Sequence, residues 1–264
     1  LERVPFSGIV FDYDGTLCDS NERFSGLSDE VSQGIVRLLK SGIIIGIATG
    51  RGKSVRTDLQ RVIPKEHWER VIIGYYNGSD IGFLRDVKRP NKNRPLHTSL
   101  QTIKGLLEKH HQFNIVASYE CRPMQITVEP IYRFSWKETK MLLYDIVKKI
   151  NAPDIQILES SHSIDIIAPN ISKLQLVAAC EDVVTKRSKI NNILCVGDKG
   201  EWPGNDYALL STPYSISVDT VSTDPDSCWN LSSAGHRGVQ ATLETLKCIT
   251  ISDKVIYFKL RNGG

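Results

Sequence analysis

The stretch Gly8-Ile9-Val10-Phe11-Asp12-Tyr13-Asp14-Gly15-Thr16-Leu17 constrains the fold more than any other part of this 264-residue chain. Three apolar residues and an aromatic read as a short buried strand, which ends on two carboxylates one residue apart before a glycine turn. Such a run delivers two acids to the mouth of a sheet. Strand alternation points Asp12 and Asp14 the same way, so their charges converge unless a cation sits between them. A hard divalent ion answers that need, and Mg²⁺ takes one or two protein carboxylates together with phosphate oxygens. The competing reading is an Asp-Gly turn that closes a hairpin.

Downstream, Ser28-Asp29-Glu30 offers a helix cap with acids in the first turn, and Val31, Ile35, Leu38 and Leu39 follow at helical spacing as far as Gly42. Ile43 to Ala48 is then continuously apolar. Strand, helix and buried strand make a βαβ unit, which requires a parallel sheet covered on both faces. The pattern repeats as a helix from Lys53 to Val62 and a strand from Arg70 to Tyr76, and resumes with a helix over Lys173–Val184 and strands at Ile193–Gly197 and Tyr214–Asp219.

Between these halves the rhythm changes. A helix from Ser99 to His110 precedes strands at Asn114–Tyr119 and Met124–Val128, joined by a turn at Cys121-Arg122-Pro123. A helix from Trp136 to Ile150 then precedes strands at Ile155–Leu158 and Ser163–Ile167. This repeated α-β-β order is an α+β signature inside an α/β chain. It predicts a core of residues 1–79 and 169–264 and an inserted domain of residues 80–168, bounded by Asn77-Gly78-Ser79 and Pro169-Asn170.

Composition fits a soluble enzyme and excludes little else. With 41% apolar residues the chain has enough to bury a core. No apolar run reaches the length of a membrane span and no basic, apolar leader opens the chain, so the expectation is a cytoplasmic protein without a membrane partner. Leu1 stands where a start methionine would, as in a processed or excised part of a larger protein or complex. Cys18, Cys121, Cys180, Cys195, Cys228 and Cys248 lie far apart without C-x-x-C pairing, which favours buried free thiols over zinc or disulfides. The six histidines show no metal spacing.

Four motifs stand in order at the C-terminal ends of the expected core strands, where open α/β sheets place their sites. They are Asp12-Tyr13-Asp14-Gly15-Thr16, Ala48-Thr49-Gly50-Arg51, Ser172-Lys173, and Gly197-Asp198-Lys199-Gly200 with Gly204-Asn205-Asp206 behind it. Together they resemble the haloacid dehalogenase-like phosphatases. Asn77-Gly78 after the third core strand and Ile171-Ser172-Lys173 after the insertion are similar to the subgroup whose cap lies between the second and third motifs, which includes the Cof-type sugar phosphatases and sucrose-phosphate phosphatases. The resemblance implies an α/β fold, a Rossmann-like parallel-sheet core with an inserted α+β cap domain. Two departures stand out. Leu174 replaces the glycine often found after the lysine, and about four extra residues around Glu201-Trp202-Pro203 separate Asp198 from Asp206, which weakens Asp206 more than Asp198 as a direct metal ligand.

The resemblance implies a role for each residue. Asp12 attacks phosphorus and becomes an aspartyl phosphate, while Asp14 protonates the departing oxygen and then takes a proton from water. Mg²⁺ is held by Asp12, the backbone carbonyl of Asp14, Asp198 and Asp206. Thr49, Gly50 and Lys173 bind the phosphate oxygens. Arg51, Asn77 and Arg122 are candidate substrate contacts. Taken singly, Thr49 reads as a helix cap, Lys173 as a solvated lysine, Asp198 as a turn former and Arg51 as a surface arginine.

The expected activity is hydrolysis of a small phosphorylated metabolite. The segment Arg85, Lys88, Arg89, Lys92 and Arg94 reads first as a solvated loop and second as an electrostatic guide for a polyanion. The alternative functions are accordingly a nucleotide or nucleic-acid end phosphatase, and a non-catalytic phosphate-binding or regulatory module of the same fold.

Overall fold

A computed structural model describes residues 1–20, 25–91, 93–132, 136–149 and 154–259. The chain forms two compact units, one of Leu1–Pro90 with Ser172–Gly264 and one of Asn91–Ile171. The first unit contains β1 (Gly8–Asp12), α1 (Asp29–Lys40), β2 (Ile44–Ala48), α2 (Lys53–Val62), β3 (Val71–Tyr75) and β4 (Asp80–Phe83). The inserted unit contains α3 (Thr98–Lys109), α4 (His111–Val116), β5 (Ala117–Arg122), β6 (Gln125–Pro130), α5 (Trp136–Lys148), β7 (Gln156–Glu159) and β8 (Ile164–Ile167). The chain returns to the first unit with α6 (Leu174–Thr185), β9 (Ile193–Lys199), α7 (Tyr207–Leu210), β10 (Ser215–Thr220), α8 (Val239–Lys247), β11 (Ile249–Ser252) and β12 (Val255–Phe258). Lys92 and Ile150 lie outside the described residues. Among the described residues no helix is long and apolar enough to cross a membrane.

The core sheet runs β10-β9-β1-β2-β3-β4, parallel except for β4. Its strands alternate between two buried faces. Ile9, Phe11, Ile45 and Ile47 face the helices α1, α2 and α8, whereas Val10, Ile44 and Ala48 face Leu176, Val177 and Cys180 of α6. Burial on both sides explains why these strands read as continuous apolar runs. Ser28 caps α1 by accepting the Val31 N–H, as its sequence position predicts.

The inserted unit is a four-stranded antiparallel sheet, ordered β5-β6-β8-β7, with Leu100, Ile103, Phe113, Leu143 and Ile146 of its helices packed on Ile126, Val128, Ile164 and Ile166.

Two sequence expectations need correction. The inserted unit begins at Asn91 rather than at residue 80, because β4 hydrogen-bonds antiparallel to β3 and so closes the core sheet; at the far end it runs to Ile171. The strand expected over Asn114–Tyr119 begins as α4, capped by His110 Nδ1 accepting the Phe113 N–H, and β5 then continues to Arg122. The basic loop after β4 is largely solvated, as its first reading has it, with Arg85, Lys88 and Arg94 exposed; beneath it, buried Arg56 donates to the carbonyl oxygens of Asp86, Val87 and Arg89, and Arg89 pairs with Asp80 at 2.7 Å.

One close approach in the core unit depends on a glycine. Gly78 has φ +91°, and a Cβ there would lie 2.3 Å from the backbone oxygen of Ser172. Gly78→Ala is therefore expected to lower the stability of the core unit by roughly 1–3 kcal/mol. Gly105 in α3 has nothing within 4 Å of its added Cβ, so Gly105→Ala stabilises the inserted unit by about 0.5–1 kcal/mol. Urea midpoints check both, and an unmoved midpoint for Gly78→Ala contradicts the close approach.

Candidate active site

Strand register gathers the motifs. Asp12 at the end of β1 sits opposite Ala48, so Thr49 follows one step beyond, and Phe11 sits opposite Val196, so Gly197 and Asp198 lie just past it on the other side. Lys173 stands at the start of α6, whose packing under β1, β2 and β3 brings it to the same sheet edge. Its ammonium donates to Asp12 Oδ1 and to Asp206 Oδ1, both at 2.6 Å. All three side chains are at most 2% exposed.

Asp206 reaches the site in spite of the longer loop before it. Its Oδ2 accepts the backbone N–H groups of Asp198 and Lys199 at 3.0 and 3.2 Å, so both of its oxygens already hold hydrogen bonds. Asp12, Asp198 and Asp206 offer carboxylate oxygens within 4.8 Å of one another, and no other such group of acids, histidines or cysteines occurs among the described residues. Gly15, at φ +85°, makes room for this cluster: a Cβ there would meet Asp198 Oδ2 at 2.4 Å.

The electrostatics follow from burial. Desolvation raises the Asp12 carboxyl well above the usual carboxylate range and Asp206 adds to the effect, with Lys173 opposing. Asp198 is raised in the same way, by burial first and then by Asp206 and Asp12. For Asp206 burial is outweighed by Lys173, and its pKa falls. Burial alone would depress the Lys173 ammonium, but Asp12 and then Asp206 overcome it and hold the charge firmly. Three carboxylates thus face one buried ammonium, and Asp12 Oδ2 is buried without a hydrogen-bond partner. Oxygen donors in this number and with this uncompensated charge suit a hard divalent cation.

Asp14 does not converge on that cluster as strand alternation predicts. β1 ends at Asp12, and the chain turns as Leu17 and Cys18 both donate their N–H groups to Tyr13 O. The Asp14 carboxylate instead accepts from Arg51 at 3.1 Å and is 24% exposed. Thr49 is fully buried; its Oγ1 accepts the Arg51 N–H at 2.9 Å, and the hydroxyl keeps its own hydrogen to donate. Gly50 lies between them in the same turn. Asn77, also buried with φ +56°, ties the end of β3 to this turn through its N–H to Thr49 O. Arg51 is neither a solvated surface residue nor open to solvent, since it is held by Asp14, Ser54 and Asp58. Arg122 belongs to the inserted unit, where it donates to Thr127 Oγ1 and Glu120 Oε2. Cys18 packs as expected, and burial, aided by Asp14, pushes its thiol up to about 11. Asp58 went unnoticed because an aspartate in mid-helix carries no motif signal.

Residues 9–124 match the profile of a family described as haloacid dehalogenase-like hydrolase. No curated protein matches the chain significantly. Among solved structures it is similar to the IMP-nucleotidase of Plasmodium falciparum in an N-terminally truncated, IMP-bound form, with 14% identity and a TM-score of 0.56, covering 81% of this chain and 65% of that one. It is similar to the C-terminal domain of trehalose-6-phosphate phosphatase from C. albicans, with 14% identity over 90% of each chain and a TM-score of 0.60. A subclass IIB sugar phosphatase aligns at 14% identity over 84% of this chain and 92% of that one, with a TM-score of 0.58. The profile spans residues 9–124, and the likeness to these solved structures is one of fold over most of the chain.

Removing the buried ammonium of the cluster tests its charge balance. Lys173→Met takes the ammonium from Asp12 and Asp206, while Asp198 keeps Lys199 at 3.5 Å, and metal-free stability at neutral pH is expected to fall by about 3–5 kcal/mol. The carboxyl pKa values then lie above their unfolded values, so the folded state binds more protons and the deficit shrinks as pH falls through them. Added divalent cation should recover more stability in the variant than in the parent protein. Thermal unfolding in chelator and in Mg²⁺ at two pH values checks this, and an unchanged metal-free midpoint contradicts it.

Proposed function

We propose that the protein is a Mg²⁺-dependent phosphomonoester hydrolase that acts on a small phosphorylated metabolite, such as a sugar phosphate, through an aspartyl phosphate on Asp12. The observation that carries this reading is the Asp12 carboxylate itself: at the end of the central strand, one oxygen is held by Lys173 while the other is buried without a hydrogen-bond partner. The profile match and the phosphatase names of the structures it resembles agree with that reading.

Asp12 would present its carboxylate to phosphorus, with its orientation held by the Lys173 ammonium. Two of that ammonium's three hydrogens are engaged by Asp12 and Asp206, and the third would meet a phosphoryl oxygen, alongside the Thr49 hydroxyl and the Gly50 N–H. Asp14, more exposed than the cluster acids, would hand a proton to the leaving oxygen and later take one from water. Asp12, Asp198, Asp206 and the Asp14 carbonyl would hold Mg²⁺, which when bound neutralises the phosphate so that an anion can attack an anion. The inserted unit would serve as the cap that selects the leaving group, with Arg122 as a candidate contact. The polyanion reading draws less support, because Arg89 is paired with Asp80 and Arg85 lies beside Asp86.

Asp12→Asn should abolish Mg²⁺-dependent phosphate release from an aryl phosphate while the fold and weaker Mg²⁺ binding persist. A kcat within about tenfold of the parent, a loss under ~1.4 kcal/mol, would rule out the covalent route. Asp14→Asn is expected to slow substrates with poor leaving groups by roughly 10²–10⁴, and aryl phosphates less. Steady-state rates across a series of leaving groups measure this, and a uniform loss would remove Asp14 from proton transfer.

A further inference from the structure

Asp58 lies on α2 outside the four motifs, yet it is a buried carboxylate with several partners. Tyr13, the residue between the two motif acids, donates its hydroxyl to Asp58 Oδ2 at 3.2 Å. Arg51 brings Nη2 to within 3.5 Å of that same oxygen and gives Nη1 to Asp14 Oδ1 at 3.1 Å. Nη2 also donates to Ser54 Oγ at 3.1 Å, and the guanidinium lies 5.4 Å from the centroid of the Tyr13 ring. Arg61 approaches Asp58 Oδ1 at 3.6 Å but is 69% exposed, and an exposed partner of that kind holds little.

These contacts close a ring. Tyr13 is bonded to Asp14 through the backbone, its hydroxyl fixes Asp58, Asp58 and Ser54 fix the guanidinium, and the guanidinium fixes the Asp14 carboxylate. An arginine has a long flexible stem, and only anchoring at several nitrogens keeps its fork in one orientation. Burying a phenol, a carboxylate and a guanidinium also costs desolvation that apolar side chains of similar volume avoid. Packing alone therefore does not account for the network, whereas aiming the Asp14 carboxylate does.

We infer that Asp58 is a positioning residue for acid–base transfer: acting through Arg51, it sets the direction of the Asp14 carboxylate toward the leaving oxygen. The inference rests on the phosphatase reading and deepens it. Proton transfer requires heavy atoms about 2.6–3.2 Å apart, and a misplacement of about 1 Å can cost on the order of 10² in rate. The step itself is unchanged: the Asp14 proton goes to the leaving oxygen as its bond to phosphorus breaks.

The test compares the parent protein, Asp58→Ala, Tyr13→Phe, Asp14→Asn and the Asp14→Asn/Asp58→Ala double variant in saturating Mg²⁺, on an aryl phosphate and on an alkyl phosphate. Asp58→Ala is expected to lower kcat on the alkyl phosphate by roughly 10–100-fold and on the aryl phosphate much less, with little change in KM. In the Asp14→Asn background the same substitution should cost almost nothing on the alkyl phosphate. Should Asp58→Ala fail to fold by circular dichroism, Tyr13→Phe, which removes a single oxygen, carries the same comparison with a smaller expected loss. Equal losses on the two substrates, no loss on either, or a full additional loss in the Asp14→Asn background would overturn the positioning role. A parent protein inactive on the aryl phosphate would overturn the phosphatase reading itself, and the inference with it.

Discussion

The ammonium of Lys173, buried between Asp12 and Asp206 at 2.6 Å from each, is the interaction on which the arrangement depends. It joins segments 161 and 33 residues away in the chain, and without it three carboxylates would share a dry pocket with only the partly exposed Lys199, 3.5 Å from Asp198, as counter-charge. The same residue begins α6, whose Leu176, Val177 and Cys180 cover one face of the sheet. Packing of that face and assembly of the acidic cluster are thus one event, since α6 cannot shift along the sheet without breaking the ion bridge.

The cluster and its neighbour Asp14 show how one strand end supports two chemical environments. Asp12 lies within β1 and is walled in, so desolvation dominates its behaviour. Two residues on, the chain has left the strand, and Asp14 meets both solvent and Arg51. Two carboxylates of identical chemistry separated in this way would, under the proposed function, suit different tasks, attack for one and proton transfer for the other. Asp206 adds a third environment, with both oxygens committed to hydrogen bonds that organise the loop after β9.

Charge that looks available in the sequence is in several places consumed by the fold. Arg56 is buried to satisfy three carbonyl oxygens of the loop after β4, and Arg89 neutralises the buried Asp80. A basic run in sequence measures only composition. Whether its members face solvent depends on which carbonyls and carboxylates the loop must satisfy.

By itself the sequence determined what short-range physics governs. Because side-chain periodicity and turn chemistry act over a few residues, apolar runs of strand length, a capped amphipathic α1 and the acid–glycine turn after Asp12 identify β1, α1, β2, α2, β3, α6, β9 and β10 and the order of the motif residues, but not α7, α8, β11 or β12. It did not decide that β4 closes the core sheet, that α4 replaces the start of an expected strand, that Asp206 returns to the site across a lengthened loop, that Asp14 turns toward Arg51, or that Asp58 stands behind that arginine. Each of those depends on strand register, or on which distant partner a buried charge finds. Such choices are made between residues far apart in the chain, where local patterns carry no information and only the packed tertiary structure sets the energy.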